Sequence, residues 1–277
     1  MKIYSLSKVL ILPLAIMAIA IFYYSETTGN RNITIWLFLP TILLTIVLIF
    51  KPQIDYWWHT KHPIPLDNKI KEWLSKYSNY YKDLNTDDKG KFENRLSLYI
   101  EAREFKSVGS EVRDVPEDLK GIIGSIPVML TMNRDDFLLG DYDRIYMYKH
   151  PFPTPRFKFL HSVETNHEDG MVLFSLEHLL AGMTRPKEIY NIGLHAFIEA
   201  YYQTFKVDFP ENTAIGWKQI ESSGDHNEQH ILDVTGLKYI DLYVVAGVNF
   251  FISPEKMEKN NPQLFTTISS IFTSTGK

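Results

Sequence analysis

The most informative segment of the sequence reads Gly193-Leu194-His195-Ala196-Phe197-Ile198-Glu199-Ala200. It lies within a longer stretch, about residues 187–205, whose apolar residues fall nearly all round a helical wheel. Such a distribution predicts a helix buried on most sides. His195, Glu199 and Tyr202 share one face of that helix, because positions i, i+4 and i+7 lie above one another. A polar line is therefore expected along a buried helix.

The segment has the frame of the pattern His-Glu-x-x-His. In that pattern two histidines one turn apart hold a metal ion, and the Glu deprotonates the attacking water. Here His195 stands at the first position, Ala196 replaces the Glu, and Glu199 replaces the second His. The segment therefore looks like a peptidase helix that has lost its chemistry. The spacing His-x-x-x-Glu carries no weight alone, since a chain with nine histidines often contains it by chance.

Length and composition restrict the class of protein. A chain of 277 residues, 45% of them hydrophobic, can form one good-sized globular domain beside a small extra element. The formal charge of -4 leaves no basic stripe, so nucleic acid is excluded as an expected partner. Cysteine is absent from the sequence, so disulfides, thiolate metal sites and thiol nucleophiles are excluded. Metal ligands can only be His, Asp and Glu.

The amino-terminal region predicts a transmembrane helical hairpin within residues 1–51. Two apolar runs, 9–24 and 33–50, are separated only by the polar stretch 25–32, and a membrane span needs roughly 17 to 25 residues. A signal peptide is the alternative for the first run, but no small-residue cleavage site follows it. Lys2 and Lys8 precede the first span, and Lys51 and Lys61 follow the second. The positive-inside rule then predicts two spans in the lipid bilayer and a cytoplasmic soluble domain.

The remaining chain predicts a juxtamembrane linker over residues 52–67 and a soluble domain over 68–277. Pro52, Pro63 and Pro65 argue against a helix in the linker. The soluble domain shows helical periodicity at both ends and short β-prone runs at 144–148 and 171–174 between them. This order predicts an α+β fold that is mostly helical with a small β-sheet.

A second acid occurs in an apolar stripe. Asp241 lies within a predicted helix over about residues 237–251, among Leu237, Val244 and Val248. An unpaired buried carboxylate costs at least several kcal/mol, so Asp241 and Glu199 each need a partner, and we expect both near His195. In one interpretation His195 is protonated and pairs with one acid. The other acid then keeps its proton or bonds to Tyr202 or Tyr243.

In the other interpretation, His195, Glu199 and Asp241 together bind a divalent cation. The sequence does not decide between these two interpretations. Two histidines four residues apart, His226 and His230, form a different candidate metal site, but their polar, glycine-containing flanks favour a solvated loop. His161, His167 and His178 have no partner at ligand spacing and are interpreted as surface or structural residues.

The region from about residue 73 to residue 272 resembles the Mlc titration factor A family of zinc peptidases, whose catalytic helix is similar to that of anthrax lethal factor. His195 to Glu199 stand where that family has His-Glu-Phe-Ala-His, and Asp241-Leu242-Tyr243-Val244-Val245 stand where it has Glu-Phe-Phe-Ala-Val. The other matching pieces, in order, are Asp87-Asp88-Lys89, Phe92-Glu93-Asn94-Arg95, Ile145-Tyr146-Met147-Tyr148, Gly170-Met171-Val172-Leu173-Phe174-Ser175, Gly182, Asn191, Trp217, Asn249-Phe250-Phe251 and Asn261-Pro262-Gln263-Leu264-Phe265.

The resemblance implies a zincin-like fold in which most functional positions are altered. His195 matches the first zinc ligand, and Ala196 occupies the general-base position and cannot accept a proton. Glu199 replaces the second His ligand, Asp241 is one methylene shorter than the third ligand Glu, and Val234 stands where a transition-state tyrosine is expected. Two carboxylates with one imidazole suit Mg, Mn or Ca better than zinc. No cofactor is therefore expected, with zinc or another divalent cation as the alternative.

Three functions remain open. The first is a membrane-anchored pseudopeptidase, a peptidase-like fold without catalytic activity that binds a protein or peptide in its cleft or along the strand at 171–174, since strand addition needs only backbone hydrogen bonds. The second is an active peptidase with an atypical site of His195, Glu199 and Asp241. The third is a purely structural component of the cell envelope.

Overall fold

The computed structural model describes residues 5–29, 31–109, 115–209 and 215–273. The chain divides into two compact units, Met1–Pro65 and Leu66–Lys277. Lys2, one of the lysines used to predict the membrane topology, lies outside the described residues.

The first unit is helical throughout its described part. Its helices are α1 (Leu6–Thr28), α2 (Arg31–Thr34), α3 (Phe38–Ile49) and α4 (Lys51–Lys61), with a 3-10 turn at Ile35–Leu37. Two helical stretches, Leu6–Thr28 and Asn32–Ile49, are long and apolar enough to cross a membrane. Most of their large apolar side chains are exposed, and this agrees with a surface that faces lipid rather than water.

The predicted non-helical linker is wrong for residues 52–61, which belong to α4. Proline argues against a helix only in its interior, and Pro52 lies in the first turn, where its missing N–H has no intrahelical acceptor. Pro63 and Pro65 follow the end of the helix. The prolines therefore mark the two ends of a helix.

Polar contacts hold the apolar helices together at both ends of the hairpin. Asp55 of α4 accepts hydrogen bonds from the backbone N–H of Ser7 (2.9 Å) and from the hydroxyls of Ser7 (2.7 Å) and Ser5 (2.9 Å). At the opposite end, Ser25 Oγ lies 2.7 Å from Thr34 Oγ1. Burial disfavours the charged form of Asp55, but these donors outweigh it and lower the pKa of its carboxyl.

The second unit contains eleven helices and four strands in its described residues. Its first eight elements in chain order, which include all four strands, are α5 (Asn68–Tyr77), α6 (Asn79–Asp83), α7 (Thr86–Ala102), β1 (Glu104–Val108), α8 (Glu117–Leu130), β2 (Arg144–Tyr148), β3 (Val163–Asn166) and β4 (Met171–Ser175). The later helices are α9 (Leu176–Thr184), α10 (Ile192–Thr204), α11 (Trp217–Ser223), α12 (Glu228–Thr235), α13 (Leu242–Ile252), α14 (Pro254–Asn260) and α15 (Pro262–Thr273).

The sheet has the strand order β1-β2-β4-β3. The pairs β1–β2 and β2–β4 are parallel, and β3 pairs with β4 antiparallel. The predicted strands at 144–148 and 171–174 are confirmed, whereas β1 and β3 were not predicted. Both missed strands are short, and β3 (Val-Glu-Thr-Asn) alternates too briefly to stand out from a loop. The strand at 171–175 lies inside the sheet, between β2 and β3. The expectation that a partner could add a strand to it is therefore wrong.

The core is formed around α10, which packs against α8, α13, β3 and β4. Ten of its thirteen residues are buried, and the Phe197 ring lies 5.7 Å from that of Phe174 in β4. The expected buried helix is therefore confirmed, although it begins at Ile192 and not near residue 187. Asn191 caps it, because its side chain accepts the backbone N–H of Leu194 at 2.9 Å.

A second boundary differs further along the chain. The polar loop expected over 221–230 is only four residues long, since α11 ends at Ser223 and α12 begins at Glu228. Asn227 caps α12 by accepting the N–H of His230 at 2.9 Å. The polar residues that predicted a loop are in part a helix cap.

Gly236 ends α12 with a φ of +71°, and a Cβ there would lie 2.7 Å from both the Leu160 oxygen and the His161 Cα. We expect Gly236→Ala to lower the free energy of unfolding by about 1–2 kcal/mol from the left-handed backbone alone, with a further steric cost. The measurement is thermal or urea unfolding of the detergent-solubilised chain. Gly90→Ala in α7 is the control: its Cβ meets no atom within 4 Å, so it should raise stability. Equal stability of Gly236→Ala and wild type would contradict the cap.

Candidate functional site

His195, Glu199 and Asp241, the residues of the predicted metal site, line one cavity of about 190 Å³. Helix α10 supplies His195 and Glu199 one turn apart, and Asp241 comes from the start of α13. Strand β3 and the segment before it form the opposite wall. The remaining lining residues are Arg156, Phe157, Val163, Glu164, Thr165, Leu237, Tyr239, Ile240 and Val244.

His195 is held by a buried tyrosine. Its Nδ1 lies 2.9 Å from the hydroxyl of Tyr190, and both side chains are almost completely buried. Burial lowers the pKa of His195 to about 4, so the imidazole is neutral at pH 7. The first interpretation, in which a protonated His195 pairs with an acid, is therefore wrong. In the described part of the chain, neither Glu199 nor Asp241 makes a hydrogen bond to the His195 ring.

The tyrosine also determines the tautomer of His195. Burial raises the pKa of Tyr190 well above its usual value, so its hydroxyl keeps its proton. Among the described residues this hydroxyl has no other hydrogen-bond partner, so it must donate to Nδ1 to avoid a buried unpaired donor. The ring proton then lies on Nε2. A metal ion bound at Nε2 would have to displace this proton.

Glu199 is half-buried at the floor of the cavity. Burial raises the pKa of its carboxyl, and the charges of Asp241 and Glu164 act in the same direction, while Thr165 and Arg156 oppose the shift. The Thr165 hydroxyl is close enough to favour the ionised form of Glu199, yet it makes no hydrogen bond of standard geometry to a described residue. Glu199 is therefore a carboxyl without a fixed partner.

Asp241 is exposed, and its predicted burial in an apolar stripe is wrong. The helix begins at Leu242, not near residue 237, and Asp241 is its N-cap: Oδ1 accepts the backbone N–H of Tyr243 at 2.8 Å. Aspartate is favoured at this position for that reason. The carboxylate is thus stabilised by the helix end and by water, and it needs no buried partner.

The other expected partners also have different contacts. The Tyr202 hydroxyl donates to the backbone oxygen of Tyr243 at 3.3 Å and not to an acid. Ala196 is completely buried in the core, and Val234 lies buried in α12. Neither residue lines the cavity, so the base and tyrosine positions named by the resemblance hold only apolar packing.

The cavity residues do not fit a metal ion as they stand. Among residues 5–29, 31–109, 115–209 and 215–273, no three His, Asp or Glu side chains are grouped closely enough to hold one.

His161 and the pair His226 and His230 lie outside this cavity and have structural roles. His161 is fully buried, with Nε2 3.1 Å from Glu164 and Nδ1 2.9 Å from the Phe159 oxygen. Burial alone would raise the pKa of Glu164, but the hydrogen bonds from His161 and Thr154 hold it below its usual value. His161 is thus a satisfied structural residue, as expected.

The solvated loop expected for His226 and His230 is wrong. His226 is buried, its Nε2 lies 2.9 Å from the Pro186 oxygen, and its ring stacks on His230 at 4.7 Å with only 12° between the planes. Parallel stacked rings direct their nitrogens along separate planes, so they do not converge on a shared ion. The pair anchors the start of α12 against the segment before α10.

Strand β3 borders the cavity and lies at the edge of the sheet. The backbone N–H of Ser175 donates to the Ser162 oxygen. In an antiparallel pair every second residue is hydrogen-bonded to the neighbouring strand, so the backbone groups of Val163 and Thr165 point away from β4. The Arg156 guanidinium donates to the outward Thr165 oxygen at 3.1 Å. Sequence reasoning missed this residue, because an arginine in a proline-rich loop has no distinguishing pattern.

Comparison with known proteins gives no match to a family model, to a curated protein or to a solved structure.

The lowered pKa of His195 makes stability fall with acid. The unfolded chain binds a proton near pH 6.5 and the folded chain near pH 4, so stability is lost as pH falls from 6.5 toward 4. Between pH 7 and 5 we expect this group to remove about 2 kcal/mol. Urea unfolding of wild type and His195→Gln at both pH values measures how steeply the free energy of unfolding of each protein depends on pH. Parallel slopes for wild type and His195→Gln would exclude the assignment.

Proposed function

We propose that the chain is a membrane-anchored, zincin-like pseudopeptidase, a degenerate relative of the Mlc titration factor A family, which binds a protein or peptide without cutting it. The observation that carries this proposal is the fully buried Ala196 beside His195. A side chain without a proton acceptor lies where the family's chemistry needs a base. Loss of a general base alone typically costs two to four orders of magnitude in rate.

The edge of β3 supports a binding role. The outward N–H and C=O groups of Thr165 are those that an added strand would use, and they adjoin the cavity of His195 and Glu199. A binding surface of this kind needs no metal, base or tyrosine. The retained cavity therefore suits recognition better than hydrolysis.

An active peptidase with an atypical site is the second candidate. It is favoured by one observation, that His195, Glu199 and Asp241 line the same cavity. It requires a shift of the His195 proton from Nε2 to Nδ1 and convergence of both carboxylates. Its metal would be oxygen-rich in ligands, which suits Mg, Mn or Ca.

The membrane location is part of the proposal. The helices Leu6–Thr28 and Asn32–Ile49 would span the bilayer, and Lys8, Lys51 and Lys61 would lie on the cytoplasmic side with the soluble unit. Tyr56 and Trp57 of α4 are exposed directly after the second span, where interfacial aromatics are common. A partner would then be recruited to the inner surface of a membrane.

Binding without cleavage is tested by incubating the full chain in detergent with a randomised, unstructured peptide mixture. We expect slower amide hydrogen exchange at Thr165, intact peptides by mass spectrometry, and no stoichiometric metal by elemental analysis. His195→Ala should leave peptide stability in the mixture unchanged, because nothing is being cut.

Stoichiometric zinc, manganese or calcium together with peptide cleavage that His195→Ala abolishes and His150→Ala preserves would establish the second candidate instead. Intact peptides without any protection of β3 would favour the purely structural role.

A further inference from the structure

Two cavities lie on opposite faces of the edge strand β3. Val163 and Thr165 line the cavity already described, which we call the inner cavity. Glu164 and Asn166 line a second one of about 330 Å³, the outer cavity. Neighbouring strand residues point to opposite faces, so a strand between two cavities divides its residues in this way, although Glu164 also lines the inner cavity. The other outer-cavity residues are Val108, Tyr146, Tyr148, Thr154, Pro155, Arg156, Asp169, Met171 and Leu173.

Arg156 occupies the boundary between the cavities. It lines both, its side chain is exposed, and its guanidinium donates to the outward Thr165 oxygen at 3.1 Å. An added strand would donate a backbone N–H to this same oxygen. Arg156 therefore takes the place of an added strand through a part-buried contact. Val163 and Thr165 are only 1% and 6% exposed, so a strand could pair here only after Arg156 has moved away.

We infer that the partner is an extended segment with a basic side chain next to an aromatic or aliphatic one. It displaces Arg156, pairs with Thr165, and places the basic side chain in the inner cavity and its neighbour in the outer cavity. This inference rests on the proposed function and specifies the ligand of that same site.

Charge explains the basic side chain. Glu199 and Asp241 both line the inner cavity, and Arg156 is the only cationic side chain among its lining residues. Withdrawal of the guanidinium leaves two carboxyls without a counter-charge, and burial already disfavours the charge of Glu199. A lysine or arginine of the partner restores the lost charge, whereas an acidic side chain adds a further negative group beside Glu164, Glu199 and Asp241.

Packing explains the apolar neighbour. The two carboxylates of the outer cavity are already engaged, Glu164 by His161 and Thr154, and Asp169 by Asn166. The remaining walls include the half-buried Tyr146 and Tyr148. Apolar and aromatic walls with satisfied polar groups are typical of side-chain pockets.

The mouth of the inner cavity adds exposed apolar surface. In the described part of the second unit only three large hydrophobic side chains are exposed, Tyr77, Leu160 and Tyr239, and Tyr239 lines this cavity with 92% of its surface exposed. A single exposed aromatic side chain is normal on a protein surface, but the ring of Tyr239 is available for contact with a segment that enters this cavity.

The test uses the full chain in detergent and fluorescein-labelled, end-capped peptides of eight residues. Each consists of threonines around a central pair, which is Lys-Tyr, Glu-Tyr or Lys-Ser. Fluorescence anisotropy measures Kd. We expect Lys-Tyr to bind at least fivefold more tightly than either of the others.

Matched variants assign each preference to its cavity. Asp241→Asn removes the charge but keeps a good N-cap, so the fold is retained while the preference for Lys over Glu falls severalfold. Tyr146→Ala should weaken the preference for Tyr over Ser and leave that for Lys over Glu unchanged. Arg156→Ala should tighten binding of all three peptides, because it removes the competitor at Thr165.

The outcomes separate this inference from the proposed function. If Glu-Tyr binds as well as Lys-Tyr, or if Asp241→Asn does not change the preference, the inference is wrong although binding without cleavage stands. If neither these peptides nor a randomised mixture binds, both are wrong.

Discussion

The burial of α10 constrains the rest of the second unit. Ten of its thirteen residues are inside the protein, so each polar group it carries must find a partner within the fold or a route to water. His195 finds Tyr190, Tyr202 finds the Tyr243 backbone, and Asn191 caps the first turn. Glu199 lies near the Thr165 hydroxyl without a hydrogen bond of standard geometry to it, and it lines the cavity that His195 and Asp241 also line. The cavity gives this half-buried carboxyl a route to water.

Sequence patterns predicted the parts of the fold that depend on long, regular periodicity. The two apolar runs and the buried helix around His195 follow from such patterns, whereas the strands predicted at 144–148 and 171–174 follow from short β-prone runs. The patterns failed where one residue has two structural uses. Asp241 was predicted to be a buried acid but is an exposed helix cap. Pro52 was predicted to prevent a helix but lies in the first turn of one. Caps and first turns depend on where a helix starts, which periodicity locates only to within several residues.

Only part of the candidate site was predictable. His195, Glu199 and Asp241 line one cavity, but Asp241 does so as an exposed helix cap and not from an apolar stripe. Tyr190 was not predicted, because it precedes the helix by two residues and its contact depends on how the chain enters α10. Arg156 and β3 were not predicted either, since both lie in a region of short elements. These three missed features determine the tautomer, the charge and the open edge of the site.

Complete burial of Ala196 has an evolutionary consequence. A glutamate at this position would place a carboxylate inside the packed core, away from the cavity and without a partner, at a cost of several kcal/mol, comparable to the whole stability of many domains. A single substitution to an acidic residue at this position would leave few molecules folded. Selection can therefore change the lining of the cavity far more easily than this position of the helix that supports it.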